Sequence, residues 1–151
     1  MLFLILSFSF ILSGTQAQIT STFDTDDEGW TAIDNQAGPL PAYVNTGGNP
    51  GGFIRVEDGV QGTATYFAAP DKFLGNRSDY YGGTLQFDLQ VYSTPNSSTA
   101  GVRLTGGGLV LARLLPQLPA VAPAWTSYTF ILSEDEAWRL NSPAGNIATQ
   151  A

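Results

Sequence analysis

A-P-D-K-F-L-G-N-R-S-D-Y-Y-G-G-T-L-Q-F-D-L, residues Ala69 to Leu89, is the stretch whose reading decides the fold. Gly82-Gly83 signals a turn, because residues without Cβ take φ > 0 cheaply. Leu85, Phe87 and Leu89 then alternate with Gln86 and Asp88, the period of a strand buried on one face. The first half is a loop by composition, yet it carries Lys72, Phe73, Leu74, Tyr80 and Tyr81. Bulky groups at fixed places in a loop mark a specified conformation rather than a generic connection.

Working outward, the same period recurs. Ile19–Phe23 alternates and predicts a strand, followed by the acidic loop Asp24–Gly29 and a short strand over Trp30–Ile33. Tyr43-Val44 has weak strand character. Asn45–Gly52 is a dense turn cluster, Phe53–Val56 a strand, Glu57–Gly59 a turn and Ala64–Ala68 a strand leading into the loop. Beyond Thr84–Tyr92 and the polar loop Ser93–Ala100, the segments Gly101–Thr105 and Leu109–Leu114 flank three glycines, a hairpin signal. Three prolines keep Pro116–Ala124 out of any central strand. Trp125–Leu132 alternates again, and Ser133–Trp138 has the N-cap and acidic first turn of a short helix. Asn141–Ala151 has little pattern. Many short strands with almost no helix predict an all-β, antiparallel sandwich of two sheets buried face to face.

The 151 residues suffice for one domain. Leu2–Leu12 is an apolar run broken only by Ser7 and Ser9, and Thr15-Gln16-Ala17 places small residues at −3 and −1 of a cleavage site. Residues 1–17 are expected to be a secretory signal peptide and residues 18–151 the domain. The run is far short of the ~20 residues a spanning helix requires, so a membrane anchor is the weaker reading. Thirteen Asp and Glu stand against six Lys and Arg, which excludes nucleic acid and anionic membrane surfaces as natural partners. With no His and no Cys, Ser-His-Asp and Cys-His nucleophile systems and His-ligated zinc are excluded.

The stretch Ala69–Leu89 resembles the signature of the laminin domain IV (laminin B) family, in which Ala-Pro-x-Lys-Phe-Leu-Gly leads to Tyr-Gly-Gly and a strand. Other pieces are similar and in the family's order. They are Phe23-Asp24 with Glu28-Gly29-Trp30, Gly47–Ile54, Tyr66–Pro70, Leu104–Leu111 and Trp125–Tyr128. The resemblance covers residues 22 to 140. It implies a jelly-roll-like sandwich similar to galactose-binding and carbohydrate-binding modules. It also implies a secreted, non-catalytic module of extracellular structure, adhesion and interaction, with extracellular proteins or glycans as partners. A lectin-like carbohydrate-binding module is the alternative. Domain IV normally sits among cysteine-rich EGF-like repeats, which these Cys-free residues cannot form. Family members continue through a short helix and further strands, so the resemblance implies a domain lacking its C-terminal strands.

Asp24, Asp26 and Asp27, with Glu28, are the candidate calcium ligands, since calcium takes six to eight oxygens. Related sandwiches hold a structural calcium where Asp24 falls, but their last-strand acid has no counterpart here. A solvated turn-forming loop is the competing reading. Four acids within five residues do not face each other across a cleft as a glycosidase pair does, and Glu134–Glu136 is clustered likewise, so no enzyme is expected. Tyr43, Tyr80 and Tyr81 are the candidate ligand-binding aromatics, because ring faces stack on sugars. At least one of Tyr80 and Tyr81 is expected to be buried. Trp138 is a further stacking candidate, while Trp30 and Trp125 are expected in packing. Lys72 and Arg77 are expected to pair with Asp71 or Asp79 on their own loop. Asn76 and Asn96 head glycosylation sequons if the source is eukaryotic.

Overall fold

A computed structural model describes residues 3–9, 17–33, 41–57, 65–93, 101–134 and 137–141, with residues 3–9 as backbone only. The strands are β1 (Phe3–Ser9), β2 (Thr20–Ser21), β3 (Thr31–Ile33), β4 (Ala42–Val44), β5 (Phe53–Glu57) and β6 (Tyr66–Ala68). They continue as β7 (Thr84–Val91), β8 (Gly101–Gly106), β9 (Leu109–Leu114), β10 (Ala120–Val121), β11 (Thr126–Ile131) and β12 (Arg139–Leu140).

A seven-stranded sheet runs in the order β10-β7-β1-β5-β4, with β11 also along β7 and β2 also along β1. A three-stranded sheet, β12-β9-β8, and a two-stranded ribbon, β3-β6, complete the described strands. Every pairing is antiparallel except that of β10 with β7. The all-β class expected from period-2 patterning is the class observed.

The pattern shows why β7 and β11 form the floor of the core. Leu85, Phe87 and Leu89 alternate inward on β7, and Tyr128 and Phe130 do so on β11. Register sets Tyr128 opposite Phe87 and Phe130 opposite Leu85. Phe87 lies 5.4 Å from Tyr128 and stacks on Phe130 at 5.9 Å. Phe23, Trp30, Ile54 and Trp138 close the cluster, with Val102, Leu104, Leu111 and Phe67 packed against it. Each fully buried large apolar side chain contributes about 1.5–3 kcal/mol.

The β8–β9 hairpin turns through Gly107-Gly108 at φ of 56° and 77°. A two-residue turn with both centres at positive φ matches the strand twist, and glycine supplies it. Gly52 serves a different need. A Cβ there would run into the Phe23 carbonyl oxygen and sit 2.9 Å from that of Val44, so β5 enters the core only as glycine.

Several expectations are adjusted. The first strand is shorter than Ile19–Phe23, because Phe23 turns to φ 53° and drops its ring into the core. Arg139–Leu140 pairs with β9, although the local sequence carries no strand pattern. The helical turn expected over Ser133–Trp138 includes residues 135 and 136, which lie outside the described residues. Phe3–Ser9, assigned to a leader on its apolar run, stands between β5 and β7.

Candidate functional site

The loop 69–83 is built from two 3-10 turns, Asp71–Phe73 and Ser78–Tyr80. Phe73 N donates to Pro70 O and Tyr80 N to Arg77 O, each at 2.9 Å. Gly75 and Gly82 take φ of 86° and 78°, where glycine is favoured. Gly82 N donates to Leu132 O, and Leu132 N to Gly83 O, both at 2.9 Å, which fastens the loop's end to the residue that follows β11.

Lys72 is the centre of the loop. Its Nζ donates to Thr20 O at 2.7 Å and to the Glu28 carboxylate at Oε2. The other oxygen, Glu28 Oε1, accepts from Thr22 N and Phe23 N at 2.7 Å each. Trp30 Nε1 donates to the buried Ser21 Oγ at 2.8 Å. Phe73 lies 5.6 Å from the Trp30 ring, and Lys72 Nζ sits 5.3 Å over the Phe73 ring. One lysine thus joins β2, the acidic loop and the Trp30 wall of the core.

Partial burial alone would raise the Glu28 carboxyl. Hydrogen bonds from Lys72, Phe23 N, Thr22 N and Ser21 outweigh it and hold the carboxyl below the usual glutamate range. The expected pairing of Lys72 and Arg77 with Asp71 or Asp79 is therefore corrected. Lys72 reaches Glu28, and Arg77 donates to the Lys72 carbonyl at 2.6 Å. Lys72 stitches the loop to the body, and Arg77 closes the loop on its own backbone. An open depression of about 500 Å³ lies over this network, bordered by Thr31, Pro70 and Asp71.

The acids of the 24–28 loop serve its turns. Asp24 Oδ2 accepts from Thr22 Oγ1 at 2.7 Å, Asp26 Oδ1 from Glu28 N at 2.8 Å and Asp27 Oδ1 from Gly29 N at 2.9 Å. Asp26 and Asp27 bond backbone two residues on, which is the turn-forming habit of aspartate, while Asp24 binds a side-chain hydroxyl two residues back. Among the described residues, no group of three or more His, Cys, Asp or Glu side chains is gathered as a metal site would gather them.

The candidate aromatics do not form one platform. The Tyr43 hydroxyl donates to Asp24 O and that of Tyr80 to Ala17 O, both at 3.0 Å. Tyr81 is 57% exposed. Neither Tyr80 nor Tyr81 is buried, contrary to expectation, because Phe73 pins the loop on Trp30 instead. Trp138 is 2% exposed and donates to Ile131 O at 3.1 Å, so it is a core residue. Trp125 packs edge-on to Phe53 at 5.7 Å. Asn76 is exposed and its Oδ1 accepts from Ser78 N at 3.0 Å; Asn96 lies outside the described residues.

The family model for laminin B (domain IV) matches residues 66–150, from β6 through the loop and the hairpin to the C-terminal segment. The chain belongs to the laminin B (domain IV) family. It is 33% identical to human laminin subunit gamma-2 over 124 residues, covering 78% of this chain and 10% of that protein. Zebrafish laminin subunit gamma-1 is 34% identical over 128 residues, or 81% of this chain and 8% of that protein. Horse laminin subunit gamma-2 is 33% identical over 121 residues. The chain thus spans about a tenth of the length of these relatives. No solved structure matches. In this domain IV module, the lysine of the signature is the residue that ties three elements together. Sequence reading missed its partner, since Glu28 lies 44 residues away inside an acidic loop.

Proposed function

We propose that this chain is a secreted, non-catalytic domain IV module of extracellular structure and interaction. The carrying observation is that the signature's cations are committed to hydrogen bonds within the module. Lys72, Glu28 and Arg77 each hold main-chain atoms of the module itself, and Asp24, Asp26 and Asp27 hold their own turn. Groups committed to intramolecular bonds are those of a folding lock. The membership in a laminin family supports an extracellular setting, and the apolar run with Thr15-Gln16-Ala17 supports export with cleavage after Ala17.

Expression in cells with a secretory pathway tests this reading. The product is expected in the medium with Gln18 as its first residue and without turnover of polysaccharide substrates. Retention with Met1 intact refutes the secretion; turnover abolished by changing one acid refutes the non-catalytic assignment. The exposed Tyr81 ring supports a lectin-like second reading. Saturable binding on a glycan array, lost in Tyr81→Ala, would establish it.

A further inference from the structure

Asn76 stands at the outer edge of the signature loop, between the turns Asp71–Phe73 and Ser78–Tyr80. The chain is exposed throughout from Leu74 to Asp79. A Cβ built on Gly75 would meet nothing within 4 Å, so open space adjoins Asn76. Asn76-Arg77-Ser78 has the residue types of an N-glycan acceptor. In the folded module its asparagine has room for a bulky group.

The side-chain amide is arranged to take one. Its Oδ1 accepts from Ser78 N at 3.0 Å, and a main-chain N–H partner identifies that atom as the oxygen. The other atom is therefore Nδ2, and among the described residues no hydrogen bond engages it. Sugar attachment uses Nδ2. The turn uses Oδ1 and a main-chain donor, so it survives the attachment unchanged.

A second observation concerns Leu74. It is 53% exposed, although its neighbour Phe73 packs on Trp30 at 5.6 Å. Leu74 lies two residues before Asn76, a separation of at most about 7 Å along the chain. The first sugar on Nδ2 reaches that far. A pyranose ring has an apolar face, and laying it on Leu74 removes apolar area from water.

We infer that Asn76 carries an N-linked glycan in the secreted module, and that its first sugar covers Leu74. The donor is an oligosaccharide joined to a lipid through pyrophosphate. Nδ2 forms a bond to C1 of the sugar as the C1–O bond to the pyrophosphate breaks. The lipid pyrophosphate leaves, and one Nδ2 proton passes to a base of the transferase. The outer edge of the signature loop is then a sugar-covered surface. The inference rests on the proposed export, by a eukaryotic secretory route. The matched relatives come from human, zebrafish and horse.

The test expresses the full chain in eukaryotic cells with Asn96→Gln, so that Asn76 heads the remaining sequon. The product's first residue is determined, and its tryptic peptide Phe73–Arg77 is weighed before and after a glycan-releasing amidase. A sugar mass that the amidase removes, leaving Asp at position 76, is expected. It should persist with Ser78→Thr and vanish with Ser78→Ala, which keeps both Asn76 and the main-chain donor of its turn. Retention in the cell with Met1 intact overturns the export and the inference with it. A product in the medium that begins at Gln18 and carries no sugar on Asn76 overturns the inference and leaves the export standing. Melting temperatures test the contact. The glycosylated protein should exceed its Ser78→Ala variant by about 2–4 °C more than the same pair does with Leu74→Ser in both. Equal differences in the two pairs overturn the covering of Leu74.

Discussion

The ammonium of Lys72 meets the carboxylate of Glu28 across 44 residues of chain, and the same ammonium holds the carbonyl of Thr20. Glu28 in turn gathers the amides of Thr22 and Phe23. This pair sets the geometry at which the chain enters the core, because Phe23 must turn to φ 53° to bury its ring.

Glu28→Ala leaves two amides without their acceptor and the Lys72 ammonium without its carboxylate, holding only the Thr20 carbonyl. A loss of about 1–3 kcal/mol is expected in urea unfolding. Lys72→Met is expected to cost less, since the amides keep their carboxylate. The double variant should show a coupling of about 0.5–3 kcal/mol. Strict additivity of the two losses would mean that the pair carries no shared energy.

Stability should fall in acid through Glu28. Its folded carboxyl titrates below the ordinary glutamate value of about 4.3. The folded state thus binds that proton less readily than the unfolded chain, and its contribution is full above the unfolded pKa. It is lost as pH falls through the lower, folded pKa. Unfolding midpoints of the parent chain and Glu28→Gln, measured from pH 6 down to pH 3, should converge towards the acid end. A gap that stays constant would show that the Glu28 proton is not the linked one.

Two glycines should differ sharply. Gly52→Ala drives a Cβ into the Phe23 carbonyl oxygen, with that of Val44 2.9 Å away, and neither backbone can yield. Loss of the cooperative transition is expected. At Gly107, φ is 56° and nothing lies within 4 Å of a Cβ. Gly107→Ala is expected to cost only about 1–2 kcal/mol, the penalty for a left-handed backbone. Circular dichroism melts compare the pair directly.

Trp138→Ala should cost about 3–5 kcal/mol, since the indole is buried against Phe130 at 6.1 Å and its Nε1 is hydrogen-bonded. Tyr81→Ala, on an exposed ring, should stay within about 0.5 kcal/mol. Similar losses at both places would contradict the division between core and surface.

Calcium should leave the melting temperature of the secreted module unchanged, because Asp24, Asp26 and Asp27 already accept turn hydrogen bonds. A saturable upward shift with calcium, reversed by chelation, would establish the site that the acidic loop composition alone invites.

The sequence by itself determined the class of fold, the turns and the family. Leu85, Phe87, Leu89, Tyr128 and Phe130 announce their faces through a period of two, and Gly107-Gly108 announces its hairpin, because each rule operates between near neighbours. Only the tertiary structure decided partners. Lys72 reaches Glu28 rather than Asp71. Phe73 rather than Tyr80 or Tyr81 anchors the signature loop. Arg139–Leu140 becomes a strand because β9 offers an edge, and the run read as a leader stands where β5 and β7 leave room for a strand. Such choices depend on which groups the sheets bring within hydrogen-bond reach, and contacts that span 44 or 52 residues leave no periodicity for local patterning to report.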